Sequence, residues 1–123
     1  MPEPVAAAPR VGLVSSDLLA RSRVQAALGR PVSATGPGLP AADGGWALLL
    51  VDLNSDAAQR LAWLGRQGPQ VANLVLCFGP HTELAELSQR ARRSGAGRCV
   101  ANSHLDRALA SWVRAVAASR GER

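Results

Sequence analysis

The sequence predicts an α/β fold in which helices cover both faces of a parallel β-sheet. Strand-like and helix-like segments alternate along the chain, and the strand-like segments are continuously apolar instead of alternating between apolar and polar residues. Continuous apolar strands are typical of a sheet that is buried on both faces, which is the usual state of parallel sheets. With 123 residues, of which 47% are hydrophobic, the chain is long enough for one domain with one substantial core.

The first part of the chain supplies two strands and one clear helix. Arg10 to Val14 is a short predicted strand, and Leu18 to Leu28 is a predicted helix with Ser16 as its cap. Val32 to Gly36 is a weak second strand, expected near an edge of the sheet. Glycines and prolines then interrupt the chain, so a second helix is either the short stretch Leu39 to Asp43 or missing.

The remaining part of the chain alternates three strands with three helices. The predicted strands are Trp46 to Leu53, Asn73 to Phe78 and Arg98 to Ala101. The predicted helices are Asp56 to Arg66, Thr82 to Arg93 and Ser103 to Val116. Ser55, Thr82 and Ser103 stand at the starts of these helices, where hydroxyl side chains cap free backbone N–H groups.

Right-handed crossovers between parallel strands give a doubly wound sheet, and the flavodoxin-like strand order 2-1-3-4-5 suits five strands in a chain of this size. We expect residues 1–9 to be a flexible tail, 10–118 to form the domain and 119–123 to be a second tail. No apolar run approaches the roughly 18 to 20 residues of a membrane span, and the start lacks the basic region of a secretory signal. We therefore expect no membrane association and a cytoplasmic location.

Asp52 is the most informative candidate site residue, because it ends the apolar run of the central predicted strand. The carboxyl edge of such a sheet is where open α/β folds place their chemistry. A carboxylate that accepts a phosphoryl group needs a cation and a positive side chain beside it. The first strand, however, is followed by Ser15 and Ser16 where an acidic pair could hold Mg²⁺, and the chain contains no lysine.

This layout resembles response-regulator receiver domains over about Arg10 to Ala117. Receivers carry an acidic pair after the first strand, a phosphoacceptor aspartate after the third, a Ser or Thr after the fourth, and an aromatic residue and Lys-Pro near the fifth. The matching positions hold Ser15 and Ser16, then Asp52, then Cys77 or Phe78, and finally Cys99, Asn102 and Ser103. The resemblance thus implies a degenerate receiver, or pseudo-receiver, of bacterial two-component signalling.

We therefore expect a non-enzymatic signalling or adaptor module that works without phosphorylation, a cofactor or a bound metal. One alternative is a phosphoacceptor that uses Asp52 in an atypical site. The simplest role for Asp52 is structural, as an acceptor for backbone amides or a cap for the following helix. His81 and His104 lack acidic or cysteine neighbours in the sequence, so they are expected at the surface and not as metal ligands.

Receivers commonly use the last two helices and the last strand for dimers and output contacts. The resemblance therefore implies a protein partner or a second copy at this surface. Trp112 belongs to the apolar, inward stripe of the last predicted helix. The candidate contact residues are the outward charged ones, namely Glu83, Glu86, Arg90, Arg107 and Arg114.

The net charge of +5 leaves a weaker alternative, in which arginines bind nucleic acid or another acidic partner. The cluster in question is Arg90, Arg92, Arg93 and Arg98. The sequence contains only three tryptophans, one phenylalanine and no tyrosine, which disfavours a surface that stacks on bases. A solvated helix end explains the cluster more simply.

Overall fold

Parallel strands form the centre of the molecule. The structure is a computed structural model, and it describes residues 10–36, 45–68, 71, 73–96 and 98–119. The strands are β1 (Arg10–Val14), β2 (Ala34–Gly36), β3 (Trp46–Asp52), β4 (Val75–Gly79) and β5 (Arg98–Ala101). They form a five-stranded sheet in the order β2-β1-β3-β4-β5, with every neighbouring pair parallel. The predicted α/β class with a parallel sheet is confirmed.

Four α-helices occur in the described part of the chain. They are α1 (Leu18–Leu28), α2 (Ala57–Gly65), α3 (Leu84–Arg93) and α4 (Leu105–Ser119). Short 3₁₀ turns at His81–Glu83 and Asn102–His104 precede α3 and α4. The stretch Leu39 to Asp43 and the predicted tail at residues 1–9 lie outside the described residues, whereas Ser119 still belongs to α4. None of the described helices has the length and apolar character needed to cross a membrane.

The sheet is buried on both faces, as the continuous apolar strands predict. Alternate residues of one strand enter different clusters, so Leu50 and Val51 of β3 are both fully buried but face opposite sides. One side packs against α2 and α3 through Leu61, Leu64, Leu87 and Ala91. The other side packs against α1 and α4 through Val24, Leu28, Leu105 and Leu109. These two layers fix the strands whose carboxyl ends carry the candidate site.

The predicted helix caps at Ser16, Ser55 and Thr82 are wrong. Asp17 caps α1, because its carboxylate accepts a hydrogen bond from the Leu19 backbone N–H at 2.9 Å. Asp56 precedes α2 in a left-handed conformation, with φ of 53°, and its side chain makes no capping bond. Thr82 lies inside the 3₁₀ turn that leads into α3. At each of these helix starts several polar residues are adjacent in sequence, and the backbone conformation determines which of them occupies the cap position.

Two predicted strands begin later than expected. Asn73 and Leu74 form a turn in which the Leu74 N–H donates to the Val71 carbonyl at 2.9 Å, so β4 starts at Val75. In β2, the Val32 N–H donates to the side-chain oxygen of Gln25 in α1 at 3.0 Å. That backbone group is therefore used by a helix. The next N–H, of Ser33, donates to the Val11 carbonyl at 2.7 Å, and the residues paired in register with β1 begin at Ala34.

Candidate functional site at the carboxyl edge of the sheet

Asp52 lies at the carboxyl edge of the sheet as its sequence position predicts. It is the last residue of β3, and only 2% of its surface is exposed. Val14 of β1 pairs with Val51, so Ser15, the next residue, comes beside Asp52. The edge therefore gathers the side chains that follow β1, β3 and β5, which are distant in sequence.

Neutral donors hold both oxygens of the Asp52 carboxylate. The Ser15 hydroxyl donates to Oδ2 at 2.7 Å. The backbone N–H and the side-chain Nδ2 of Asn54 donate to Oδ1 at 2.8 and 2.7 Å. The backbone N–H of Asp17 donates to Ser15 Oγ at 3.1 Å, so this hydroxyl both accepts and donates. A buried carboxylate must be hydrogen-bonded to offset its lost hydration, and these contacts meet that need.

Asn54 and Asn102 form a reciprocal pair of amide hydrogen bonds. Asn54 Nδ2 donates to Asn102 Oδ1 at 2.9 Å, and Asn102 Nδ2 donates to Asn54 Oδ1 at 2.6 Å. An amide can do this because it carries donors and an acceptor on one planar group. Asn102 is the position at which the receiver resemblance expects a lysine. Here it links the loop after β3 to the turn after β5 through an uncharged contact.

A second connection joins the same turn to α1. Arg23 Nη2 donates to the backbone carbonyl of Asn102 at 3.0 Å and lies 3.5 Å from an oxygen of Asp106. Arg23 and Asp106 are both largely exposed, so their ion pair contributes little to stability. The carbonyl bond still fixes the position of the turn that carries Asn102.

Arg60 is a buried cation beneath the site, and it was not among the candidates taken from the sequence. Only 3% of its surface is exposed. Its Nη1 donates to the backbone carbonyl of Asp52 at 2.8 Å, and its Nη2 donates to Ser16 Oγ at 3.1 Å. Nη2 also lies 3.7 Å from a carboxylate oxygen of Asp56. Its Nε has no hydrogen-bond partner in the described part of the chain.

A sequence signal for Arg60 does exist. Arg60 precedes Leu64 by four residues, so both lie on the same face of α2. Leu64 is fully buried, and this places Arg60 on the inward face as well. Asn54 was also missed, although a side-chain amide two residues after a strand-ending carboxylate is well placed to bond to it.

The hydrogen bonds that Ser15 and Asn54 donate to the Asp52 carboxylate do not involve either cysteine. Cys77 pairs in register with Val51 on one side and with Cys99 on the other, and it is fully buried in the core. Burial, with a smaller contribution from the neighbouring Cys99, raises the pKa of Cys77 to about 12. Burial also raises the pKa of Cys99, while a hydrogen bond with Ser88 acts in the opposite direction. Both thiols are therefore protonated at neutral pH.

The residue opposite Asp52 in β4 is Phe78, and Gly79 ends the strand. Phe78 is buried in the core on the α1 and α4 side. A Cβ atom added to Gly79 would lie only 2.7 Å from Leu87 Cδ1, so Leu87 fills the space that a side chain would need. Neither residue brings a hydroxyl group to this edge.

The candidate contact residues lie on α3, on α4 and in the turn before α3. Arg90 is partly exposed, and the other four are exposed, namely Glu83, Glu86, Arg107 and Arg114. Trp112 packs against the α1 and α4 side of the core, which confirms its inward role. His81 and His104 are exposed in the 3₁₀ turns. Within the described residues no group of three or more His, Cys, Asp or Glu side chains could hold a metal ion.

A cavity of about 400 Å³ opens beside the site. Its polar lining includes Asp17, Arg23, Asn54 and Asn102, and Phe78 forms part of its apolar wall. The lining thus contains one carboxylate, one guanidinium and two amides.

Comparisons with known proteins identify the fold. No family model matches the sequence, and no curated protein matches it. Among solved structures, the chain is similar to the crystal structure of a response regulator receiver protein from Pseudoalteromonas atlantica, with a TM-score of 0.64 and 14% sequence identity. The match covers 91% of this chain and 99% of that one. The chain has the fold of a receiver domain.

Proposed function

We propose that this protein is a pseudo-receiver, a non-enzymatic signalling module that acts through protein contacts and not through phosphorylation. It would work in two-component signalling in a bacterial cytoplasm. The observation that carries the proposal is that both oxygens of the Asp52 carboxylate accept hydrogen bonds from Ser15 and Asn54. Each of these donors is neutral, and each is part of the protein.

The charged groups near Asp52 support the same proposal. Arg60 is buried and donates to the backbone carbonyl of Asp52, so the protein already places a cation of its own at this end of β3. A Mg²⁺ ion usually binds through one or two carboxylates together with several waters. Ser15 and Ser16 replace the acidic pair, and Asp17 is used to cap α1, so Asp52 would be the main charged ligand.

Treatment with a small phosphoryl donor tests this proposal. The full chain is incubated with acetyl phosphate and Mg²⁺, and its intact mass is then measured. We expect no gain in mass. A gain of one phosphoryl group that disappears in the Asp52→Asn variant would instead establish the alternative function, a phosphoacceptor with an atypical site.

For the output surface we propose the exposed charged residues of α3 and α4, together with the turn before α3. The occupant would be a protein partner or a second copy of the chain. Glu86 and Arg107 form no ion pair with any described residue, so their charges are free to pair across an interface. In a symmetric dimer the acids of one copy can face the arginines of the other.

Charge reversal tests this surface. Sedimentation velocity at low and high salt compares the wild type with Glu86→Arg and Arg107→Glu, and Arg21→Glu on α1 serves as the control. Association should weaken with added salt and in both interface variants, because exposed ion pairs are screened. A chain that stays monomeric at low salt, and keeps its partners after both reversals, would exclude this surface.

A further inference from the structure

A second cavity, of about 230 Å³, lies between α3 and the edge strand β5, away from Asp52. Ser88 and Arg92 line it from the helix, and Arg98 and Cys99 line it from the strand. Ala96 and Val100 complete its wall. The cavity is thus bounded by two guanidinium groups, one hydroxyl and one thiol, and no acidic residue contributes to it.

The charges of Arg92 and Arg98 are not paired with an acidic side chain of the described residues. The ion pairs found between described residues are Arg23–Asp106 and Arg60–Asp56, and neither involves Arg92 or Arg98. The nearest turn of α3 adds Arg90 and Arg93, so the surroundings are also positive. Such a cavity attracts anions, and the attraction is strongest at low salt.

Stabilisation of a helix end explains only part of this arrangement. Arginines in the last turn of α3 interact favourably with the partial negative charge at its C-terminus. Arg98 is not part of that helix, because it begins β5. It brings a second guanidinium to the same cavity from a different element, and the helix end does not require it.

We propose that this cavity binds a compact phosphate-bearing small molecule. Guanidinium groups donate paired N–H groups in the geometry that phosphate oxygens accept, and Ser88 can add a further donor. The volume is below the roughly 300 to 1,000 Å³ of sites for drug-sized ligands, so a phosphate or a small phosphomonoester fits better than a larger ligand. Because both arginines are largely solvated, we expect a dissociation constant on the order of millimolar.

An NMR titration tests the proposal. Inorganic phosphate is added to the ¹⁵N-labelled full chain at constant ionic strength, with chloride as the reference salt. We expect saturable shifts at Ser88, Arg92 and Arg98. Arg92→Gln and Arg98→Gln should each weaken binding by about tenfold, the effect of losing one charge-assisted hydrogen bond. Arg21→Gln on α1 is the matched control and should leave binding unchanged.

Cys99 provides a second readout within the same cavity. Cys77 is fully buried and Cys99 only partly, so alkylation by iodoacetamide at pH 8.5 should modify Cys99 first. Bound phosphate should slow that reaction, and the slowing should be lost in Arg98→Gln. Shifts that do not saturate, equal affinity in the arginine variants, or binding of a DNA duplex without binding of phosphate would each overturn the proposal.

Discussion

The Ser15 hydroxyl donates a 2.7 Å hydrogen bond to the Asp52 carboxylate, although the two residues lie 37 positions apart in sequence. The contact exists because β1 and β3 are parallel neighbours whose carboxyl ends meet at one edge. It satisfies one oxygen of a buried charge with a neutral donor. A second carboxylate at position 15 would instead repel Asp52 unless a cation lay between them.

Replacing Ser15 with Ala should destabilise the protein by about 1–3 kcal/mol, because a buried carboxylate oxygen loses its donor. Urea denaturation measures the change in the free energy of unfolding. Ser22→Ala, at an exposed position of α1, is the control and should have little effect. Equal stability of the Ser15→Ala variant and the wild type would mean that water replaces the hydroxyl at no cost.

Replacing Ser15 with Asp should create a dependence on magnesium that the wild type lacks. Without a cation, the two carboxylates repel each other and the variant should be less stable than Ser15→Ala. Added Mg²⁺ should raise its melting temperature, since a ligand that binds only the folded state stabilises that state. The wild type should melt at the same temperature with EDTA or Mg²⁺. A magnesium-dependent shift in the wild type would contradict the proposal that its Asp52 site does not bind the ion.

Replacing Arg60 with Met should cost about 1–3 kcal/mol, the usual penalty when a buried acceptor loses its donor. The change removes the bonds to the Asp52 carbonyl and to Ser16. Arg60→Lys should also destabilise, because one ammonium group cannot reproduce the fork of a guanidinium. Arg66→Met, at an exposed position just after α2, is the matched control. Denaturation curves that coincide for the two Met variants would refute the role given to Arg60.

The stability of the protein should fall as the pH rises above about 9. The pKa of Cys77 is raised from its ordinary value of 9.0 to about 12, so the unfolded chain loses this proton first. The stability that the protonated Cys77 thiol contributes to the folded state is complete below pH 9 and is lost progressively between pH 9 and 12. The sequence contains neither lysine nor tyrosine, so side chains other than the thiols contribute little in this range.

Unfolding measured by circular dichroism from pH 8 to 11 checks this prediction. Cys77→Val removes the thiol at similar volume and should flatten most of the alkaline decline. Cys99→Val should have a smaller effect, because that thiol is only partly buried. If the stability of Cys77→Val fell by the same amount at alkaline pH, the decline in the wild type would have a cause other than Cys77.

The elements that the sequence predicts well are those fixed by burial. The run from Trp46 to Val51 has no polar residue, so a strand covered on both faces is its most favourable state. Helix starts are harder, because Ser15, Ser16 and Asp17 are all suitable caps. The structure gives each a different task, namely bonding Asp52, accepting from Arg60 and capping α1. Only the three-dimensional path of the chain separates these tasks.

The candidate site was predictable in position but not in its contacts. Asp52 ends a strand, and this alone places it at the carboxyl edge of the sheet, where open α/β folds bind their ligands. Its partners Asn54 and Arg60 belong to a loop and a helix, where polar residues ordinarily face solvent. The amide pair with Asn102 depends on a separation of 48 residues and on the order of the strands. No local pattern in the sequence encodes such a contact.

The sheet ends on both sides in very short strands. β2 contains three residues and β5 contains four, so each edge exposes only a few unpaired backbone groups. Short edge strands are one way in which proteins avoid open-ended polymerisation through their sheets. A neighbouring chain that tried to extend this sheet would gain few backbone hydrogen bonds. Assembly of this protein should therefore proceed through side chains on its helices, and its sheet should not seed fibres.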